Sequence, residues 1–90
     1  MREDARTRLG MRGLVVPLEK VCARYNVTLM DVLRRNQTKR VAVARDACMA
    51  HLYSIGFSTT EVGDLMARDH STVSACLKRH RAREGAGDGA

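Results

Sequence analysis

The chain has 90 residues, enough for one small domain and too few for a nucleotide-processing core with a separate substrate domain. Sixteen Lys+Arg against ten Asp+Glu give a formal charge of +6, with hydrophobic residues at 44% and aromatics at 3%. That excess of cation points to a polyanionic partner; with no Trp, one Phe and two Tyr the chain lacks the stacking platforms of RNA and single-strand readers, which leaves duplex DNA.

Residues 1–13 carry Arg2, Arg6, Arg8 and Arg12 but little apolar material beyond Leu9 and Met11, and Gly10 and Gly13 interrupt a helix. A flexible basic arm is expected there. Leu18, Val21, Cys22 and Tyr25 then recur at helical spacing, with Pro17 suited to the first turn. Thr28 and Asp31 have capping-box spacing and open a short helix with Leu29, Val32 and Leu33 on its apolar side. A basic stretch follows, in which Arg34, Arg35, Lys39, Arg40 and Arg45 occur with no acidic residue between Arg34 and Arg45. Val41, the stem of Arg45, Cys48, Leu52 and Ile55 define one side of a longer helix over about residues 40–54, stopped by Gly56.

Ser58 and Glu61 form a second capping box, and Val62, Leu65 and Met66 give a two-turn helix its inward face. After the short connection Ala67 and Arg68, Asp69 caps a last helix whose Val73, Cys76, Leu77 and His80 form its buried stripe. Residues 84–90, EGAGDGA, hold nothing to anchor them in a core and are expected to be a disordered tail. The expected architecture is all-α, a bundle of about five helices over residues 14–83 that contains a helix-turn-helix.

In such a pair the first turn of the second helix is presented to the major groove. Here that turn is Asp69, His70, Ser71, Thr72. Asp69 can accept from a cytosine amino group, His70 and Ser71 can donate or accept, and Thr72 offers a methyl to thymine or a hydroxyl to phosphate. Lys78, Arg79, Arg81 and Arg83 follow as cations for the duplex backbone.

The run over residues 58–73, STTEVGDLMARDHSTV, resembles the signature of the C-terminal DNA-binding domain, domain IV, of the bacterial replication initiator DnaA family. The matching positions are Ser58, Glu61, Gly63, Asp64, Arg68, Asp69, His70, Thr72 and Val73, with Val62 and Ser71 as conservative variants. Tyr25, Asp31, Leu33, Val41, Ala42 and Arg45 extend the likeness upstream, over about residues 17–80. The resemblance implies a Trp repressor-like, DnaA domain IV-like fold and sequence-specific binding of an initiator-box-like duplex. Residue by residue, it implies base reading by Asp69, His70 and Ser71, and backbone contacts by Thr59, Thr60, Thr72, Lys78, Arg79 and Arg45.

Three features depart from the family pattern. Val43 and Ala44 stand where the family has a minor-groove arginine and a proline, which makes Lys39 and Arg40 the candidate minor-groove or loop contacts. The turn is one residue shorter, with Ala67 in place of Gly-Gly. No GxxxxGK[ST] loop occurs, so the expectation is a free-standing DNA-reading domain that regulates replication or transcription without an ATPase. Contacts with replication or transcription proteins are the further partners expected; a protein-interaction module and a nonspecific DNA binder are the alternatives.

Other chemistry is weaker. Cys48 with His51 and Cys76 with His80 have spacings that zinc could use, but Cys48, Cys76 and His80 already fall on apolar stripes, so no metal or cofactor is expected. Asp69, His70 and Ser71 are adjacent on a helix and project about 100° apart, which rules them out as a catalytic relay, so no enzyme is expected. Cys22, Cys48 and Cys76 form no CxxC pair and read as reduced, buried thiols. No apolar run approaches the roughly 20 residues of a membrane span and the first residues are no secretory signal. A cytoplasmic, nucleoid-associated location is the expectation.

Overall fold

Both capping boxes close as their spacing requires. Thr28 accepts from the Asp31 N–H at 3.1 Å while the Asp31 carboxylate accepts from the Thr28 N–H at 3.2 Å. Ser58 and Glu61 repeat the exchange at 3.2 and 2.9 Å. Each pair satisfies amide donors that a helix start otherwise leaves without a partner, and each therefore sets where a helix begins.

The computed structural model describes the backbone of residues 5–34 and 38–89. Arg2 and Arg35, two of the basic residues singled out from the sequence, lie outside the described residues. Those described form six helices: α1 Ala5–Met11, α2 Val15–Arg24, α3 Leu29–Leu33, α4 Lys39–Ser54, α5 Thr59–Met66 and α6 His70–Gly89. All-α architecture is correct, and α2 to α5 begin and end within a residue or two of their expected limits.

The ends depart from expectation. Residues 5–11 are helical where a flexible arm was expected, because Leu9 is fully buried and α1 packs against α2, α3 and α5. A single buried leucine closes a gap in the core that polar composition alone hides. Similarly, α6 runs through Gly89, past Glu84, where a tail was expected to break away from the helix.

Helix α4 is the centre of the bundle and meets α2, α3, α5 and α6. Its buried positions, Val41, Ala44, Asp46, Ala47, Cys48, Met49 and Leu52, lie around most of its circumference rather than on one stripe. Small side chains there let neighbouring helices approach closely, and Leu18, Val32, Val62, Met66 and Val73 fill the space between them. Ile55, read as an inward residue, is instead about half exposed at 51%, because the helix ends at Ser54 and the chain turns away through Gly56 at φ +114°. Among the described residues no helix is long and apolar enough to cross a membrane.

Candidate nucleic-acid interface

The junction of α5 and α6 is fixed by backbone. Gly63 lies buried in α5, and its carbonyl accepts from the Arg68 N–H at 2.8 Å. A Cβ at Gly63 would sit 2.5 Å from the Arg68 carbonyl oxygen, so only glycine lets the turn fold back this closely. Ala67 ends α5 in the left-handed region at φ 56°, ψ 48°, a conformation that glycine adopts without strain and alanine does not. With Ala67, Arg68 and Asp69 between the helices, α5 and α6 are in direct contact.

This junction exposes the first turn of α6. Asp69, His70, Ser71 and Thr72 all face solvent, while Val73 and Cys76 are buried behind them. The Asp69 carbonyl accepts from the Val73 N–H at 3.0 Å, which closes the first helical turn. Thr59 is half-buried and Thr60 exposed in the first turn of α5. Lys39 and Arg40 are exposed in the first turn of α4, and Lys78 is exposed on α6. Val43, where the family resemblance leads one to look for an arginine, is half-buried in α4.

Two of the expected backbone contacts also hold the fold. Arg45 donates from Nε to the Val32 carbonyl and from a terminal nitrogen to the Arg34 carbonyl, both at 2.9 Å, closing the end of α3. Arg79 donates through two nitrogens to Asp46, each at 3.2 Å, and through one of them to the Cys76 sulfur at 3.1 Å. Arg83 adds a bond of 2.6 Å to the same carboxylate. Burial pushes the Asp46 carboxyl up, but the bonds from Arg79, Arg83 and Cys76 outweigh it and hold it below the usual carboxylate range.

Asp46, only 1% exposed, went unread in the sequence. It is the one acidic residue between Asp31 and Glu61, and Arg79 and Arg83 stand four apart on α6. A lone acid in a basic helix and an i,i+4 arginine pair are the signal that could have joined α4 to α6.

A groove of about 620 Å³ runs beside the exposed turn. Arg8, Arg45, Arg68 and Arg79 line it together with Asp64, Asp69 and Thr72. Arg68 reaches across to the Arg34 carbonyl at 3.0 Å, and Arg8 donates to the Asp64 carbonyl at 2.5 Å. Arg8 and Arg68 were not among the residues singled out as contacts.

The cysteines and histidines do not gather at one point. Cys48 lies 3.7 Å from Cys22 across the α2–α4 contact, whereas Cys76 faces Arg79 and Asp46. Burial and the Asp46 carboxylate push the Cys76 thiol up to about 11, and the neighbouring Cys22 thiol together with burial pushes Cys48 up as well. All three are free thiols. His80 pairs with Glu84 at 3.0 Å, and among the described residues no group of His, Cys, Asp and Glu is arranged to hold a metal.

Helices α5 and α6, their close turn and the exposed start of α6 define a helix-turn-helix protein. The sequence profile of the family described as Bacterial dnaA protein helix-turn-helix matches residues 18–79, and the chain belongs to that family. It is 35% identical over 65 residues to the chromosomal replication initiator protein DnaA of Mycoplasma pneumoniae, and 32% identical over the same length to that of Mycoplasma genitalium. Each match takes in 69% of this chain and 14% of the relative, so the chain spans a small part of the length of the curated proteins it matches. No solved structure matches it.

Proposed function

We propose that the chain binds double-stranded DNA sequence-specifically by placing the first turn of α6 in the major groove. The observation that carries this is the exposure of Asp69, His70, Ser71 and Thr72 at the start of the second helix of a helix-turn-helix. Asp69, His70 and Ser71 read base edges. Thr72, Lys78, Arg79, Arg45 and the first turn of α5 at Thr59 and Thr60 contact the backbone, with Lys39 and Arg40 toward the adjacent minor groove. The target is an initiator-box-like site, and the role is regulation of replication initiation or of transcription, with no phosphate-binding loop in these 90 residues. Membership of the dnaA helix-turn-helix family supports the reading.

Selection from a random duplex library tests it. The expected result is one enriched motif, preferred over random duplex by at least ~10³, with log K falling against log salt at a slope near about −5 for roughly six phosphates. Failure to enrich any motif would replace specific reading with nonspecific binding, and a flat salt dependence would favour a protein partner.

A further inference from the structure

Helix α1 lies outside the family-matched span, which begins at residue 18, yet it contributes a cation to the groove beside the proposed recognition turn. We propose that Arg8 is a DNA backbone contact, so that α1 extends the interface beyond the helix-turn-helix family to which the chain belongs. The inference rests on the DNA-binding function proposed above.

Three contacts hold α1 and the turn that follows it in place. Leu9 is fully buried, the Arg12 guanidinium stands 5.9 Å from the centre of the Phe57 ring, and Arg8 bonds the Asp64 carbonyl. Through these contacts Arg8 lines the same groove as Asp69 and Thr72 of the exposed turn. One of the five N–H groups of its guanidinium goes to Asp64. That acceptor is a neutral carbonyl, which orients the fork without cancelling its charge. A fork already oriented, half-buried and lying beside a turn that enters the major groove meets a phosphate of the flanking strand with little further ordering. Of the groove's other arginines, Arg79 shares its charge with the Asp46 carboxylate.

The test is a salt series with the full chain, read by fluorescence anisotropy on two 30-base-pair duplexes, one carrying the selected motif and one scrambled. Arg8→Gln is expected to make the log K against log salt slope shallower by about 0.9, with the same fold loss on both duplexes, because a phosphate contact carries no sequence information. Arg8→Lys keeps the wild-type slope. A folded Arg8→Gln with an unchanged slope overturns the proposal even if affinity falls, and leaves the DNA-binding function standing provided the wild-type slope is steep. A wild type that binds neither duplex overturns both. Should Arg8→Gln fail to fold, the Arg8 Nε–Hε NMR signal of the wild type decides: a shift on adding scrambled duplex supports the contact, and no shift overturns it.

Discussion

His70 and Lys78 sit on one helix, and the proposed function gives them opposite tasks. His70, exposed at the start of α6, would meet a base edge, whereas Lys78, two turns on, would meet phosphate. His70→Ala is expected to weaken the selected site by roughly 1–3 kcal/mol with little effect on random duplex; Lys78→Ala weakens both alike. Competition binding on the two duplexes measures the difference, and equal losses from His70→Ala on both would remove its base-reading role. Asp46 has a structural task. Its carboxyl lies below the usual carboxylate range when folded, so its contribution is present above that range and lost as pH falls through the lowered value. Asp46→Asn is expected to cost about 1–3 kcal/mol near neutrality, at the modest end of buried ion pairs because Arg79 and Arg83 are 54% and 38% exposed and stay hydrated. Urea melts from about pH 7 to pH 3 check both points: the variant's stability should change less with acid than the wild type's.

At the scale of elements, the α5–α6 junction has one position that tolerates only glycine and another that glycine would suit better. Gly63→Ala brings a Cβ against the Arg68 carbonyl, a backbone atom that cannot swing aside, and is expected to cost about 1–3 kcal/mol. Ala67→Gly relieves a left-handed alanine and is expected to stabilise by up to about 1 kcal/mol, raising Tm by roughly 4–8 °C. Thermal melts of the two variants should move in opposite directions. The sequence made α3 and α5 legible through their capping boxes, Thr28 with Asp31 and Ser58 with Glu61, α2 through its apolar period and Pro17, and the end of α4 through Gly56 as a stop. Helix α1 was not legible, since its stability comes from one leucine meeting residues distant in the chain rather than from any local pattern. The exposed turn at Asp69 to Thr72 was legible from the apolar positions Val73 and Cys76 that are buried behind it. The attachment of Arg45 and Arg79 was not, because charge pattern shows a cation and says nothing about the carbonyl or carboxylate that long-range packing brings to it.

For the whole molecule, the core extends beyond the helices that present the recognition turn. Leu9 and Leu14 lie in the same buried cluster as Val32, Leu52 and Val62, so α1 is bound into the centre of the domain. Leu9→Ala is expected to cost about 2–3 kcal/mol in denaturant unfolding; a loss below about 0.5 kcal/mol would mean that α1 docks without contributing to global stability. This gives the position of Leu9 a practical consequence. The stretch matched by the family, residues 18–79, is shorter than the stretch whose buried residues make up the core, which begins at Leu9. A fragment trimmed to the former would lose Leu9 and Leu14 from the buried cluster and, with α1, the Arg8 side chain from the groove.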